Sequence, residues 1–266
     1  MFSSFMIDTW IAASIVAVVA GIVGFFVVVR GNAFAAHALP LGSFPGAAMA
    51  HVLGINDFVG VGLFAALGIA GISQLGRRSR HDVATALSLV TLLGLGALFL
   101  SLTTAYSQGV YALLFGQVLG VPAAALPPIA ALGAIAVAAT LALFHPLLLS
   151  AASPELAEAS GVSTRLMELL FLVIIGFAAA VAMAVVGALL VFSLMVGPAS
   201  AARAMTSRPV AAMLLSALLA LLTAWASIVL SYLSDWPIGF FVGVFAALWY
   251  AWGRLPIWHR TAARSR

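Results

Sequence analysis

Charge disappears from this chain for about twenty residues at a time, and then returns as isolated arginines. A membrane crossing needs about 20 mostly apolar residues, because the hydrocarbon core is roughly 30 Å thick and a helix rises ~1.5 Å per residue. Charge-poor stretches of that size run over Trp10–Val29, Phe34–Ile55, Phe58–Gly76, Val83–Ala105 and Pro127–Leu149. Leu166–Ala202 follows with only Glu168 inside it, too long for one crossing and long enough for two short ones that turn near Gly187. Pro209–Leu230 and Pro237–Trp252 complete the series. The fold class expected is all-α: a polytopic membrane bundle of about nine transmembrane helices, with eight as the alternative count.

Composition excludes the competing classes. With 65 % hydrophobic and 7 % charged residues, seven acids and eleven bases cannot cover the surface of a water-soluble particle. The apolar content also excludes disorder. There is no cysteine, so disulfides, thiolate ligands and cysteine nucleophiles are excluded. There is no lysine either, so a phosphate-binding loop of the GxxxxGK[ST] type cannot exist here. If ATP drives this protein, the ATPase is a separate chain. The pI of about 10.3 reflects eleven arginines that mark the cytoplasmic side, not a nucleic-acid surface.

The count of crossings can be checked by parity. With the N-terminus outside, nine crossings put Arg30, Arg77, Arg78, Arg80, Arg165, Arg203, Arg208, Arg254, Arg260, Arg264 and Arg266 on one side. Asp8, Asp57 and Asp235 fall on the other. Cytoplasmic loops gather arginine, so the C-terminus is expected in the cytoplasm. Tyr106–Leu126 is uncharged and nearly long enough to cross, but Ser107-Gln108-Gly109 and Gly120-Val121-Pro122 interrupt it. It is read as an interfacial or re-entrant segment on the outer face. GxxxG spacing at Gly42/Gly46, Gly116/Gly120 and Gly239/Gly243 is a weak packing signal in a chain this rich in small residues.

The longest inner loop carries a helix signature. Ser153 is placed to cap, Pro154 suits the first position, Glu155 the first turn, and Gly161 the stop. Spacing alone leaves two readings: a solvated connector, or a helix that docks on a cytoplasmic partner. No HExxH, paired carboxylates or nucleophile–base–acid set is visible, so an enzyme is not indicated.

The run Pro154-Glu155-Leu156-Ala157-Glu158-Ala159-Ser160-Gly161-Val162 resembles the coupling-helix segment of the metal-ion ABC permeases, the zinc/manganese/iron importer class. Ala36-His37-Ala38-Leu39-Pro40-Leu41-Gly42 is similar to that family's first signature, and Leu114–Val121 to its outer-loop motif. Val181–Leu190 with Gly197–Arg203 resembles its next stretch, and Ser231-Tyr232, Asp235 and Pro237-Ile238-Gly239 its last. The resemblance runs in order over nearly the whole chain. It implies one transmembrane permease domain over residues 1–266, with a cytoplasmic coupling helix at 153–161. It further implies a homodimer in a bacterial inner membrane, working with a cytoplasmic ABC ATPase and an extracytoplasmic solute-binding protein. Glu155, Leu156, Ala157, Glu158, Ala159, Ser160 and Gly161 would meet the ATPase. Leu156 and Ala159 would enter its groove and the acids would face basic surface. No permanently bound cofactor is implied; the transported substrate would be a divalent ion, zinc favoured over manganese or iron. The resemblance departs at Ala33, where the family usually has an Asp four residues before His37.

Ionisable groups within a membrane span are costly and often functional. His37 is either a transport-pathway ligand or a histidine bonded to a carbonyl freed by Pro40. His51 with Asp57 forms either a cation entry point or an interfacial residue and a helix cap. His145 either lines the exit or is structural. Glu168 is read as a snorkelling partner of Arg165. A secondary transporter driven by an ion gradient is the alternative function, but such proteins carry buried carboxylates that these spans, Glu168 apart, lack.

Overall fold

The computed structural model describes residues 4–75, 81–102 and 121–264. Within these limits the chain is helical, and no strand occurs among the described residues. The helices are α1 (Ser4–Val29), α2 (Ala33–Leu53), α3 (Asp57–Leu75), α4 (His81–Ser101), α5 (Leu126–Ala142), α6 (Phe144–Ala152), α7 (Pro154–Ala159), α8 (Thr164–Val186), α9 (Ala188–Met205), α10 (Pro209–Ser234) and α11 (Ile238–Arg264). A 3₁₀ turn, Ala123–Ala125, leads into α5. Four stretches, Met6–Val29, Ala123–Ala142, Thr164–Met183 and Pro209–Ser234, are long and apolar enough to span a membrane by length and composition. Shorter apolar helices occupy Phe58–Gln74, Thr85–Phe99, Leu190–Met205 and Ile238–Arg254.

Each charge-poor stretch of the sequence coincides with a helix or a helix pair. The long apolar run splits at Gly187, whose φ of 79° and ψ of 157° end α8 and start α9. Only glycine adopts that backbone without strain. One expected span is not a single helix. Pro146 has no N–H to donate to Ala142, and its ring clashes with that carbonyl. The helix therefore breaks at Leu143 into α5 and α6. Asn56 supplies a cap for α3: its side-chain oxygen accepts from Phe58 N at 2.9 Å. Most of Tyr106–Leu126 lies outside the described residues, as does most of the Leu114–Val121 motif.

The helix α1 forms the centre of the bundle and packs on α10, α9, α5 and α8. A second group forms around α2, which packs on α3 and α4 and joins the first group through α9 and α8. Lipid tails are as apolar as leucine, so helix association here rests on close packing and hydrogen bonds rather than on exclusion of water. Ser216 donates to the Gly21 carbonyl at 2.7 Å inside the α1–α10 seam. Farther along the same seam, Trp225 Nε1 donates to Ser14 Oγ at 3.0 Å. Trp249 Nε1 reaches Thr223 Oγ1 at 2.9 Å and ties α11 to α10. Of the glycines with GxxxG spacing, Gly46 meets the backbone of Gly60 on α3, whereas a Cβ on Gly243 would meet nothing within 4 Å.

Candidate coupling and transport site

The segment Ser153–Val162 folds as its residues dictate. Ser153, in extended backbone, caps α7 by accepting from Leu156 N at 3.4 Å, and Pro154 opens the helix. At the other end Val162 N donates to Ala157 O at 2.8 Å and Gly161 N to Glu158 O at 3.0 Å. Gly161 sits at φ +80°, and the paired bonds around a left-handed glycine satisfy the last carbonyls of the helix. The result is a short helix held between α6 and α8, with both of its own ends closed.

Its faces are unequal. Leu156 is 55 % exposed, and Glu155, Glu158, Ala159, Ser160 and Gly161 are exposed with it. Ala157 is fully buried. It is the residue that seats α7 on its own chain. Glu158 also has an internal role, because its Oε1 accepts from Thr164 Oγ1 at 2.7 Å and ties α7 to the first turn of α8. The exposed surface of the segment is therefore Leu156 and Ala159, with Glu155, Glu158, Ser160 and Gly161 around them.

The histidines are dispersed. His37, on the second turn of α2, is half-buried, and its ring meets Phe192 of α9 edge-on at 5.1 Å. Its Nδ1 is buried without a hydrogen-bond partner, so the bond to a carbonyl freed by Pro40 is not made by that atom. His145 is exposed on α6, its ring 5.5 Å from that of Phe144. The side chains of His51 and Asp57 lie outside the described residues; their backbones place His51 in the last turn of α2 and Asp57 at the first position of α3. Among the described residues no group of three or more His, Asp or Glu side chains is positioned to hold a metal. A lone imidazole binds a passing ion weakly, which suits transit better than storage.

Arg30, one of the arginines expected to mark the cytoplasmic side, is also built into the packing of this region. Arg30 follows α1, and its guanidinium is turned into the bundle. Nη1 donates to Ser150 Oγ at 2.6 Å and to the Leu147 carbonyl at 3.1 Å, both on α6. The guanidinium carbon stands 5.5 Å from the ring centre of Phe171 on α8. Burial lowers the basicity of Arg30, and the Glu168 carboxylate opposes that shift. Glu168, expected to serve Arg165, is thus near enough to Arg30 for its charge to be felt there. No spacing rule reveals contacts across more than a hundred residues; the sequence signal was only that an arginine stands at the end of a long apolar helix.

A bundle of apolar helices, with a capped helix between two of them, has the architecture of a multi-pass membrane protein. The comparisons sharpen this class. Residues 2–253 match the ABC 3 transport family, and the chain belongs to it. The chain is 26 % identical over 250 residues to the manganese transport system membrane protein MntC of Halalkalibacterium halodurans, covering 93 % of this chain and 86 % of that one. It is 27 % identical to the manganese import system permease protein ScaB of Streptococcus parasanguinis, covering 92 % and 88 % of the two chains. The fold is that of PsaBC from Streptococcus pneumoniae, solved in complex with a Fab. The TM-score is 0.87 at 23 % identity, over 96 % of this chain and 92 % of that one. The resemblance to the metal-ion ABC permeases is thereby borne out at the level of family and fold.

Proposed function

We propose that the chain is the membrane-spanning subunit of an ATP-driven importer for a divalent metal ion in a bacterial cell membrane, with manganese ahead of zinc as the cargo. The change of order from the sequence reading rests on MntC and ScaB, both named for manganese. The observation that carries the importer reading is α7: a helix capped at both ends, seated on its own chain by the buried Ala157 and presenting Leu156 outward. In this reading two copies of the chain line one pathway, and α7 of each meets a separate ATPase. A solute-binding protein delivers the ion from outside. The N-terminus lies outside and the C-terminus in the cytoplasm, the side on which arginines collect. Closure of the ATPase pair moves α7, and the bundle passes between two arrangements. His37 offers the ion a neutral nitrogen on the way. His145 lies near the exit, and His51 and Asp57 near the entrance.

The test is uptake of manganese, zinc and iron into proteoliposomes that hold the permease, its ATPase and its binding protein. ATP-dependent manganese uptake is expected, and uptake that persists without ATP but follows an ion gradient would favour the secondary transporter instead. Loss of a ligand nitrogen worth about 1.4 kcal/mol corresponds to a factor of ten. His37→Ala is therefore expected to lower manganese uptake roughly tenfold, while His259→Ala, near the end of α11, leaves it unchanged. Equal uptake by the two variants would take His37 out of the pathway.

A further inference from the structure

We infer that Arg30 is a positioning residue that makes the corner between α1 and α2 move with the coupling helix. The inference rests on the importer reading and adds to it the route by which a pull on α7 reaches the helix that carries His37.

Three observations converge on this side chain. First, Arg30 grips both flanks of α7. Its two hydrogen bonds fall on Leu147 and Ser150 of α6, which ends at Ala152, directly before the cap Ser153. Its guanidinium face lies against Phe171 of α8, the helix that starts just after α7. Ser150 Oγ also donates to Leu147 O at 3.1 Å, so one hydroxyl braces both of the arginine's acceptors. Second, the corner that holds Arg30 is stiff. Arg30 N donates to Phe26 O and Asn32 N to Val27 O, each at 2.9 Å, and Ala36 N donates to Asn32 O at 2.9 Å. A displacement applied at the guanidinium therefore passes into α2 rather than being absorbed in a loose loop. His37 stands on the second turn of that helix. Third, a guanidinium suits this task in a way that an ammonium does not. Its planar fork bonds several acceptors at fixed angles while its face stacks on an aromatic ring. A lysine ammonium has three donors, but it has no fixed fork to orient them and no face to stack.

A side chain that only stabilised the bundle would, on removal, lower ATPase stimulation and transport together. A side chain that transmits motion lowers transport per ATP hydrolysed. The experiment measures metal uptake and ATP hydrolysis together in proteoliposomes of the complete transporter. The variants are Arg30→Ala, Arg30→Lys and Ser150→Ala, with Ser14→Ala as a control that removes the distant hydrogen bond from Trp225. Loss of both charge-assisted bonds is expected to lower manganese imported per ATP roughly tenfold in Arg30→Ala. Arg30→Lys should recover part of that loss, Ser150→Ala should show about a threefold fall, and Ser14→Ala should leave the ratio unchanged. A ratio unaltered in Ser150→Ala and Arg30→Lys would overturn the inference, even if Arg30→Ala fails to fold. Absence of ATP-driven uptake by the unmodified transporter would instead overturn the importer reading beneath it.

Discussion

In Leu156→Asp the permease is expected to keep its fold and lose its ATPase. Leu156 is 55 % exposed on α7, a helix that the proposed topology places in the cytoplasm, where lipid does not account for an outward leucine. Burying such a side chain in a partner's groove contributes about 2–3 kcal/mol when it is a central anchor. Its replacement by a carboxylate therefore weakens ATPase binding by roughly 30- to 150-fold. The substitution is mild for the permease itself. Position 156 lies in the first turn of α7, three residues after the cap Ser153, where a negative charge is favoured by the helix dipole. The buried Ala157 and the closing bonds at Gly161 and Val162 are untouched. Titration of the purified ATPase against the permease in nanodiscs measures the affinity directly. Glu155→Gln, a change to an exposed charge, is expected to alter it by less than tenfold, since such pairs contribute about 0–1 kcal/mol. Equal affinities for the unmodified chain and Leu156→Asp would remove α7 as the docking element.

The elements that were legible in the sequence are those fixed by one-dimensional physics. Membrane thickness sets a span length, so the apolar stretches and the helices coincide. A run of that excess length with one well-placed glycine had to turn, and it turns at Gly187. The fold of α7 was legible because Ser153, Pro154 and Gly161 act through local bonds within the segment itself. What depends on the third dimension was not legible. The stretch Pro127–Leu149 has the length of one span, but the chain breaks there into two helices at Leu143. The bond that Glu158 accepts from Thr164, six residues on, follows from no spacing rule. Arg30 was counted only as a topological marker, because its acceptors lie 117 and 120 residues away. Small-residue spacing is a weak guide to the seams. Gly239 and Gly243 have the spacing, but the tightest approaches involve Gly21 and Gly24, which have no such spacing between them, and Gly46 with Gly60.

That last contrast gives the second large effect. Gly24→Ala is expected to destabilise the bundle severely, while Gly243→Ala is neutral or slightly stabilising. A Cβ on Gly24 would fall within the main-chain carbonyl of Met195 on α9, a group that cannot rotate aside as a side chain can. The remedy would be retreat of α1. Yet α1 is held on α10 by the close approach of Gly21 to Ala217 and by the Ser216 bond to the Gly21 carbonyl, and α5 and α8 also pack against it. Overpacking of a tight seam costs about 1–3 kcal/mol or more, and with backbone as the obstacle the upper end applies. Such a loss corresponds to a fall in Tm of roughly 6–12 °C for a chain of this size. At Gly243 a Cβ has open space, and alanine in a helix interior is favoured over glycine by about 0.5–1 kcal/mol. Opposite signs of the two shifts, read by thermal unfolding in one detergent, are the expected outcome. Equal shifts would mean that the α1–α9 seam is not closed through Gly24, and that the centre of the bundle is held by something other than backbone contact.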